Sequence, residues 1–215
     1  IHVIDMSVCS IDLRHPAPEI IRRASDALTK GELIVAPTET RYGLLARGDS
    51  EEAIGRVFDA KGRAPLQPTA LFVRDENHLR ELGEVTKSAE ILMRRWLPGP
   101  LTLVLRSRVP WGPPRAADGF VGIRWSSSPV ISELLRLVAF PITATSANRS
   151  GSGDLDTVEQ IQTVLGDSVA LYLDGGTLNG TASTVVKCDG DRVTVLRIGG
   201  ISAESIHSEL KAKGM

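Results

Sequence analysis

Residues 145–151 read TSANRSG, which places three hydroxyls, a carboxamide and an arginine directly after the apolar run FPIT. Hydroxyl, amide and backbone donors at such spacing suit phosphates or a nucleobase, an electrostatic cradle that needs no nucleophile. The same run can also be read as a turn or a helix start, where Ser, Asn and Gly are common for conformational reasons. Four further stretches place polar residues just after strand-like segments, where open α/β sheets hold their ligands: PTETRYG at 37–43, KGRAP at 61–65, GIR at 122–124, and the late pair STVV at 183–186 with LRIGG at 196–200.

Each of these stretches has a plain structural alternative. Lys61 and Arg63 at a helix end can cap carbonyls in water; Ala64, Pro65 and Pro68 instead stiffen the chain and hold both cations in place, as a polyphosphate or carboxylate would require. Thr38 and Thr40 lie two apart, so a continuing strand would point both hydroxyls to one side of a cleft, although PTETRYG is also a good turn. Arg124 closes the apolar strand FVGIR, where an arginine must snorkel or meet an anion. Arg197 ends a strand before Gly199 and Gly200, and those glycines would let a ligand approach the backbone.

The elements that must position these residues alternate in period. Residues 16–30 carry Ile20, Ile21, Ala24 and Leu28 at helical spacing, and Gly31 stops them before the strand-like ELIVA. In D-S-E-E, Asp49 is the expected cap of a second helix ending near Gly62. Further helices are expected over 88–96, 129–138, 157–165 and 203–211, and TALFV, LTLVL, FVGIR, VALYL and STVVK read as buried strands. STVVK and RVTVLR around CDGD predict a β-hairpin with Asp189 and Gly190 in its turn. The alternation without repeats or linkers implies one layered α/β domain over residues 1–215, with its core at 16–201.

Composition narrows the function. The chain has 215 residues, 42% hydrophobic and 24% charged, with a net charge of -1, which suits a globular core and argues against coating nucleic acid through bulk charge. Cys9 and Cys188 form neither a disulfide framework nor a zinc site, and a reducing cytoplasm is the expected setting. No apolar run reaches the roughly 18 residues of a membrane span, and the opening IHVIDMSVCS lacks the pattern of a signal peptide. There is no P-loop, dinucleotide fingerprint, H-E-x-x-H or G-x-S-x-G. His2, His15, His78 and His207 are scattered and expected at the surface.

The order of the motifs is informative: PTETRYGL, AKGR with downstream prolines, WLPGPLTLVL, GIR followed by a proline, SANRSG, DGG, STVV and LR-x-G. From about Ile20 to Ile201 this resembles the YrdC-type family of threonylcarbamoyl-AMP synthases, and SAN favours that branch over the related YciO-like one. The resemblance implies a twisted open mixed α/β sheet with flanking helices and a concave basic face that holds the nucleotide. It implies ATP-dependent condensation of L-threonine with bicarbonate to give threonylcarbamoyl-AMP and pyrophosphate, with Mg2+ accompanying ATP. Partner threonylcarbamoyl-transferase proteins then modify tRNA next to the anticodon. By matching motifs, Thr40, Arg124, Ala144 and Ser183 would surround threonine, while Lys61, Arg63, Gln67, Ser146, Asn148 and Arg197 would surround ATP, with Lys61 and Arg63 neutralising the triphosphate. The pattern departs at Phe72 (histidine in some members), at SSSP over 126–129 (P-x-H-P), at Asp154 (serine) and at Ile198 (proline). A carboxylate beside phosphates is unfavourable unless Mg2+ or an arginine compensates it. Two alternatives remain at this stage. One is a non-catalytic module binding tRNA or double-stranded RNA, with RSRVPWGPPR at 106–115 as a basic and aromatic contact. The other is carbamoyl-adenylate chemistry on a different acceptor.

Overall fold

The structure is a computed structural model and describes residues 7–62, 69–108 and 118–215. Along the chain run β1 (Ser7–Ser10), α1 (Pro18–Thr29), β2 (Ile34–Pro37), β3 (Tyr42–Leu45), α2 (Glu51–Lys61), β4 (Ala70–Phe72), α3 (Glu76–Leu82), α4 (Lys87–Trp96) and β5 (Leu101–Arg106). They are followed by β6 (Phe120–Arg124), α5 (Pro129–Leu137), β7 (Ile142–Ser146), α6 (Val158–Leu165), β8 (Leu171–Asp174), β9 (Thr184–Asp189), β10 (Arg192–Arg197) and α7 (Ala203–Ala212). The strands form one mixed sheet in the order β1-β8-β2-β3-β7-β4-β6-β5-β9-β10.

Its two halves are covered differently. Around β2 and β8, α1 and α5 bury Leu28, Val130 and Leu134 on one face, and α2 and α6 bury Val57, Ile161 and Leu165 on the other. Strands sandwiched on both faces read as continuous apolar runs, as IVA does in β2. In the second half the helices among the described residues, α3, α4 and α7, all cover the same face, burying Leu79, Leu92 and Ile206 against Leu103, Val121, Ile123 and Val186. Side chains alternate across a strand, so Phe72, Thr102, Val104, Gly122, Arg124, Val185 and Lys187 point to the opposite, open face, which floors a cleft.

The sequence-based helices and strands are present, with four differences. Ser50 caps α2, accepting from the Ala53 amide at 3.2 Å, because Asp49 is taken by Arg47 at 2.6 Å. The β9–β10 turn is Gly190 and Asp191, since Asp189 still pairs with Arg192 and Gly190 carries the positive φ of 60°. α3, missed in the sequence, is a seven-residue helix capped by Asp75, which accepts from the His78 amide at 2.8 Å. His78 is buried, not superficial, because it lies on the inward face of that helix beside Leu79 and Leu82. β1, β3 and β7 also escaped the pattern analysis. No helix among the described residues is long and apolar enough to cross a membrane.

Candidate functional site

The cleft has a volume of about 580 Å3. Thr40, Arg124, Ala144, Ser146, Ser183 and Arg197 all line it, although they come from five separate stretches of chain. Arg63, Gln67 and the stretch 109–115 of RSRVPWGPPR fall outside the described residues.

One wall is a buried relay. The chain turns between β2 and β3, so Thr38 and Thr40 leave the strand, yet their hydroxyls meet at 3.0 Å. Arg124 Nη2 donates to Thr40 Oγ1 at 2.8 Å, and Thr38 Oγ1 donates to the Arg41 carbonyl at 2.6 Å. Each hydroxyl has one proton, so the direction is fixed: Arg124 to Thr40, Thr40 to Thr38, Thr38 to Arg41. Arg124 Nη2 also bonds Glu39 at 2.8 Å, and the other Glu39 oxygen accepts from the Ser126 hydroxyl. Ser126 thus gives one departure from the family pattern a role, since a proline there would offer no hydroxyl. The guanidinium sits 5.4 Å from the Phe72 ring centroid, and its Nε is buried without a partner among the described residues. The sequence argument that a strand-end arginine needs an anion is met inside the chain by Glu39.

A second wall is a loop. β7 delivers Ser146, and the chain then leaves the sheet through Asn148 toward Asp156. Lys61 is buried at the end of α2, where Gly62 (φ 57°) closes the helix in the left-handed region. Its ammonium donates to the Ser146 and Asn148 carbonyls at 2.5 and 2.7 Å and reaches Asn148 Oδ1 at 3.3 Å. It is therefore not a cap trailing in water: it organises the SAN loop and brings positive charge behind it. Ser146 Oγ donates to Asn148 Oδ1 at 2.5 Å, and Asn148 Nδ2 donates to the carbonyls of Ser152 and Gly153 at 3.1 and 3.2 Å.

Arg197 turns inward from the edge strand β10. Its Nη2 donates to the carbonyl and hydroxyl of Ser183 at 2.9 and 3.0 Å, and Ser183 Oγ lies 2.9 Å from Thr102 Oγ1. Burial first, then the nearby Arg124 cation, lower the Arg197 pKa, and Asp154 partly offsets them. An Arg124 cation close enough to disfavour the charge on Arg197 makes the cleft receptive to an anion. The expectation that Gly199 makes room for a ligand is corrected, since a Cβ there would lie 2.1 Å from the Ala182 carbonyl oxygen. That space is filled by the chain's own backbone.

Sequence reasoning missed four contributors. Glu39 and Arg41 lie within PTETRYG, but their partners are Ser126, Asp154 and Asp156. Thr102 was legible only through the alternation of LTLVL. Tyr42 anchors the DGG turn, donating from its hydroxyl to the Gly176 carbonyl at 2.6 Å and accepting from the Gly175 amide at 3.0 Å; burial pushes its phenol up to about 12. The carboxylate of Asp154, unfavourable beside phosphates, faces Arg41 at 3.4 Å.

The family model Sua5_yciO_yrdC, described as telomere recombination, matches residues 26–199. Over 192 residues the chain is 35% identical to threonylcarbamoyl-AMP synthase of Bacillus subtilis, covering 87% of this chain but only 56% of the relative. It is 31% identical over 180 residues to a putative threonylcarbamoyl-AMP synthase of Methanocaldococcus jannaschii, covering 83% of this chain and 85% of that one. Among solved structures, P. abyssi Sua5 complexed with L-threonine superposes with a TM-score of 0.88 at 30% identity, covering 95% of this chain and 61% of that one. E. coli YciO superposes at 0.86 with 25% identity, covering 94% of this chain and 99% of that one.

Proposed function

Because the chain belongs to the Sua5–YciO–YrdC family, we propose that it uses ATP, bicarbonate and L-threonine to form threonylcarbamoyl-AMP with release of pyrophosphate. One observation carries this reading: an arginine wall suited to a carboxylate and Ser146, at the start of a hydroxyl-rich loop backed by a lysine, line one cleft together. That the P. abyssi relative was solved with L-threonine supports the choice of acceptor.

In this mechanism Arg124 holds the threonine carboxylate, and Thr40 or Ser183 bonds its hydroxyl. A site built to bond a hydroxyl rejects acceptors lacking one. The threonine amine attacks the bicarbonate carbon and water leaves, giving an N-carboxylated amino acid. A carbamate oxygen then attacks the α-phosphorus of ATP, and the bond to pyrophosphate breaks. No side chain need act as a nucleophile; positioning and charge lower the barrier. Ser146 and Asn148 hold the nucleotide, with Lys61 and Arg197 around its phosphates and ring; Arg63 and Gln67 join them on the matching motifs alone. No group of three or more His, Cys, Asp or Glu side chains suited to a metal occurs among the described residues. Mg2+, a hard ion that keeps water and binds through phosphates and one or two carboxylates, would therefore arrive with ATP, with Asp154 as the carboxylate on that side of the cleft. It would neutralise phosphate charge. Transfer of the product to tRNA by partner proteins belongs to the same proposal.

The test is mass spectrometry of reactions containing ATP, Mg2+ and labelled bicarbonate. Threonylcarbamoyl-AMP carrying the label is expected only with L-threonine. Label in another carbamoyl adenylate would redirect the acceptor, and ATP left intact alongside salt-sensitive RNA binding would favour a non-catalytic module.

A further inference from the structure

Arg41 follows Thr40 in the β2–β3 turn and lines the cleft, with its side chain 21% exposed. Nη1 donates to Asp156 at 2.8 Å, Nη2 faces Asp154 at 3.4 Å, and Nε is buried without a partner among the described residues. Both carboxylates sit on the stretch that continues the SAN loop, whose residues 149–154 are otherwise exposed. Asn148 grips that stretch through the carbonyls of Ser152 and Gly153, so its position depends on where the stretch is held. The Arg41 carbonyl, in turn, is the last acceptor of the relay from Arg124 through Thr40 and Thr38. One residue therefore joins the loop assigned to the nucleotide and the wall assigned to the acceptor, by its side chain and its backbone respectively.

Resting on the function proposed above, we infer that Arg41 is a positioning residue that couples the two halves of the cleft, so that nucleotide and acceptor each strengthen binding of the other. A single exposed ion pair holds little. Here one guanidinium, partly buried, carries two carboxylates and has no water-facing Nε. Phosphates entering beside Asp154 place like charge near it, and only with Arg41 engaged does the stretch stay in place to keep Asn148 aligned. Coupling between two binding sites is reciprocal, so the same factor must appear whichever ligand is added first.

The test measures L-threonine binding by calorimetry with and without a non-hydrolysable ATP analogue and Mg2+, in the wild type, Arg41→Met, which keeps the apolar stem, and Asp156→Asn on the loop side. Amide exchange over residues 148–156 is followed without ligands. In the wild type the analogue is expected to tighten threonine binding about tenfold, and threonine to tighten analogue binding equally. In Arg41→Met the factor falls to within about twofold of one, threonine affinity alone changes less than about threefold, and the loop amides exchange about tenfold faster; Asp156→Asn moves each quantity the same way by less. Wild-type coupling retained in Arg41→Met, or a wild type that binds both ligands independently, overturns the inference while leaving the proposed function intact. A wild type that binds neither ligand removes the functional reading, and the exchange rates then decide whether Arg41 holds the loop at all.

Discussion

The two walls of the cleft solve the same problem, presenting polar groups to a charged ligand, by opposite means. The Thr38–Thr40–Arg124 wall is buried and cross-linked by its own hydrogen bonds, with Glu39 and Ser126 fixing the guanidinium from behind. The loop from Ser146 to Asp154 is mostly exposed and held from outside, by Lys61 at its start and Arg41 at its end. A preorganised wall suits the ligand whose shape must be discriminated, since buried donors left unpaired penalise the wrong acceptor. An exposed loop suits a ligand whose binding energy lies largely in charge. On the function proposed above, selectivity and affinity fall to different parts of one cleft.

The contrast can be broken most severely at Arg124. Arg124→Lys leaves a cation but loses the planar guanidinium beside Phe72 and withdraws the one nitrogen, Nη2, that bonds both Glu39 and Thr40, so kcat/KM for threonine should fall about 100-fold with the ATP KM nearly unchanged. Steady-state kinetics in both substrates checks this; a fall confined to the ATP KM would reverse the assignment of the walls. Lys61→Ala removes the ammonium behind the loop carbonyls, and kcat/KM for ATP should fall about 30-fold while the acceptor KM moves little. Thr40→Val severs the relay without changing side-chain shape; a roughly tenfold rise in the threonine KM is expected, with a loss of about 1–2 kcal/mol in urea unfolding.

The smallest effect concerns pH. The folded Tyr42 pKa of about 12 stands above its ordinary value of 10.0, so its contribution to stability is complete below pH 10 and is lost as pH rises toward 12. Burial, followed by Arg74, lowers the pKa of His78 below 6.5, so its contribution is present above pH 6.5 and is lost as pH falls through the folded value. Urea midpoints should be flat between these limits with respect to both groups. Tyr42→Phe should lessen the alkaline loss, to which Tyr172 and Cys188, pushed up by burial to about 12 and about 11, also contribute, and His78→Gln should lessen the acid one.

Much of this architecture can be read from local pattern. The apolar runs LTLVL and FVGIR named the strands but read as buried ones; the open face that Thr102, Val104, Gly122 and Arg124 line emerges only once the helices are placed. Lys61 could be placed at a helix end, and Arg124 at a strand end where a cation demands a partner. What local pattern cannot give is the partner itself. Ser126 meets Glu39 across 87 positions and Asp156 meets Arg41 across 115, distances over which no spacing rule operates. α3 was missed because seven residues are too short for a convincing helical period, and that miss took the burial of His78 with it. The cap of α2 went to Ser50 instead of Asp49 because a competing partner, Arg47, was near enough to claim the carboxylate.

The account is tested most directly by pyrophosphate release from ATP and Mg2+ with bicarbonate, measured with and without L-threonine, with serine for comparison and Lys61→Ala as the control. Release that depends on threonine, is weaker with serine and is largely lost in the variant is the predicted result. Release indifferent to any amino acid, or none at all, would contradict it.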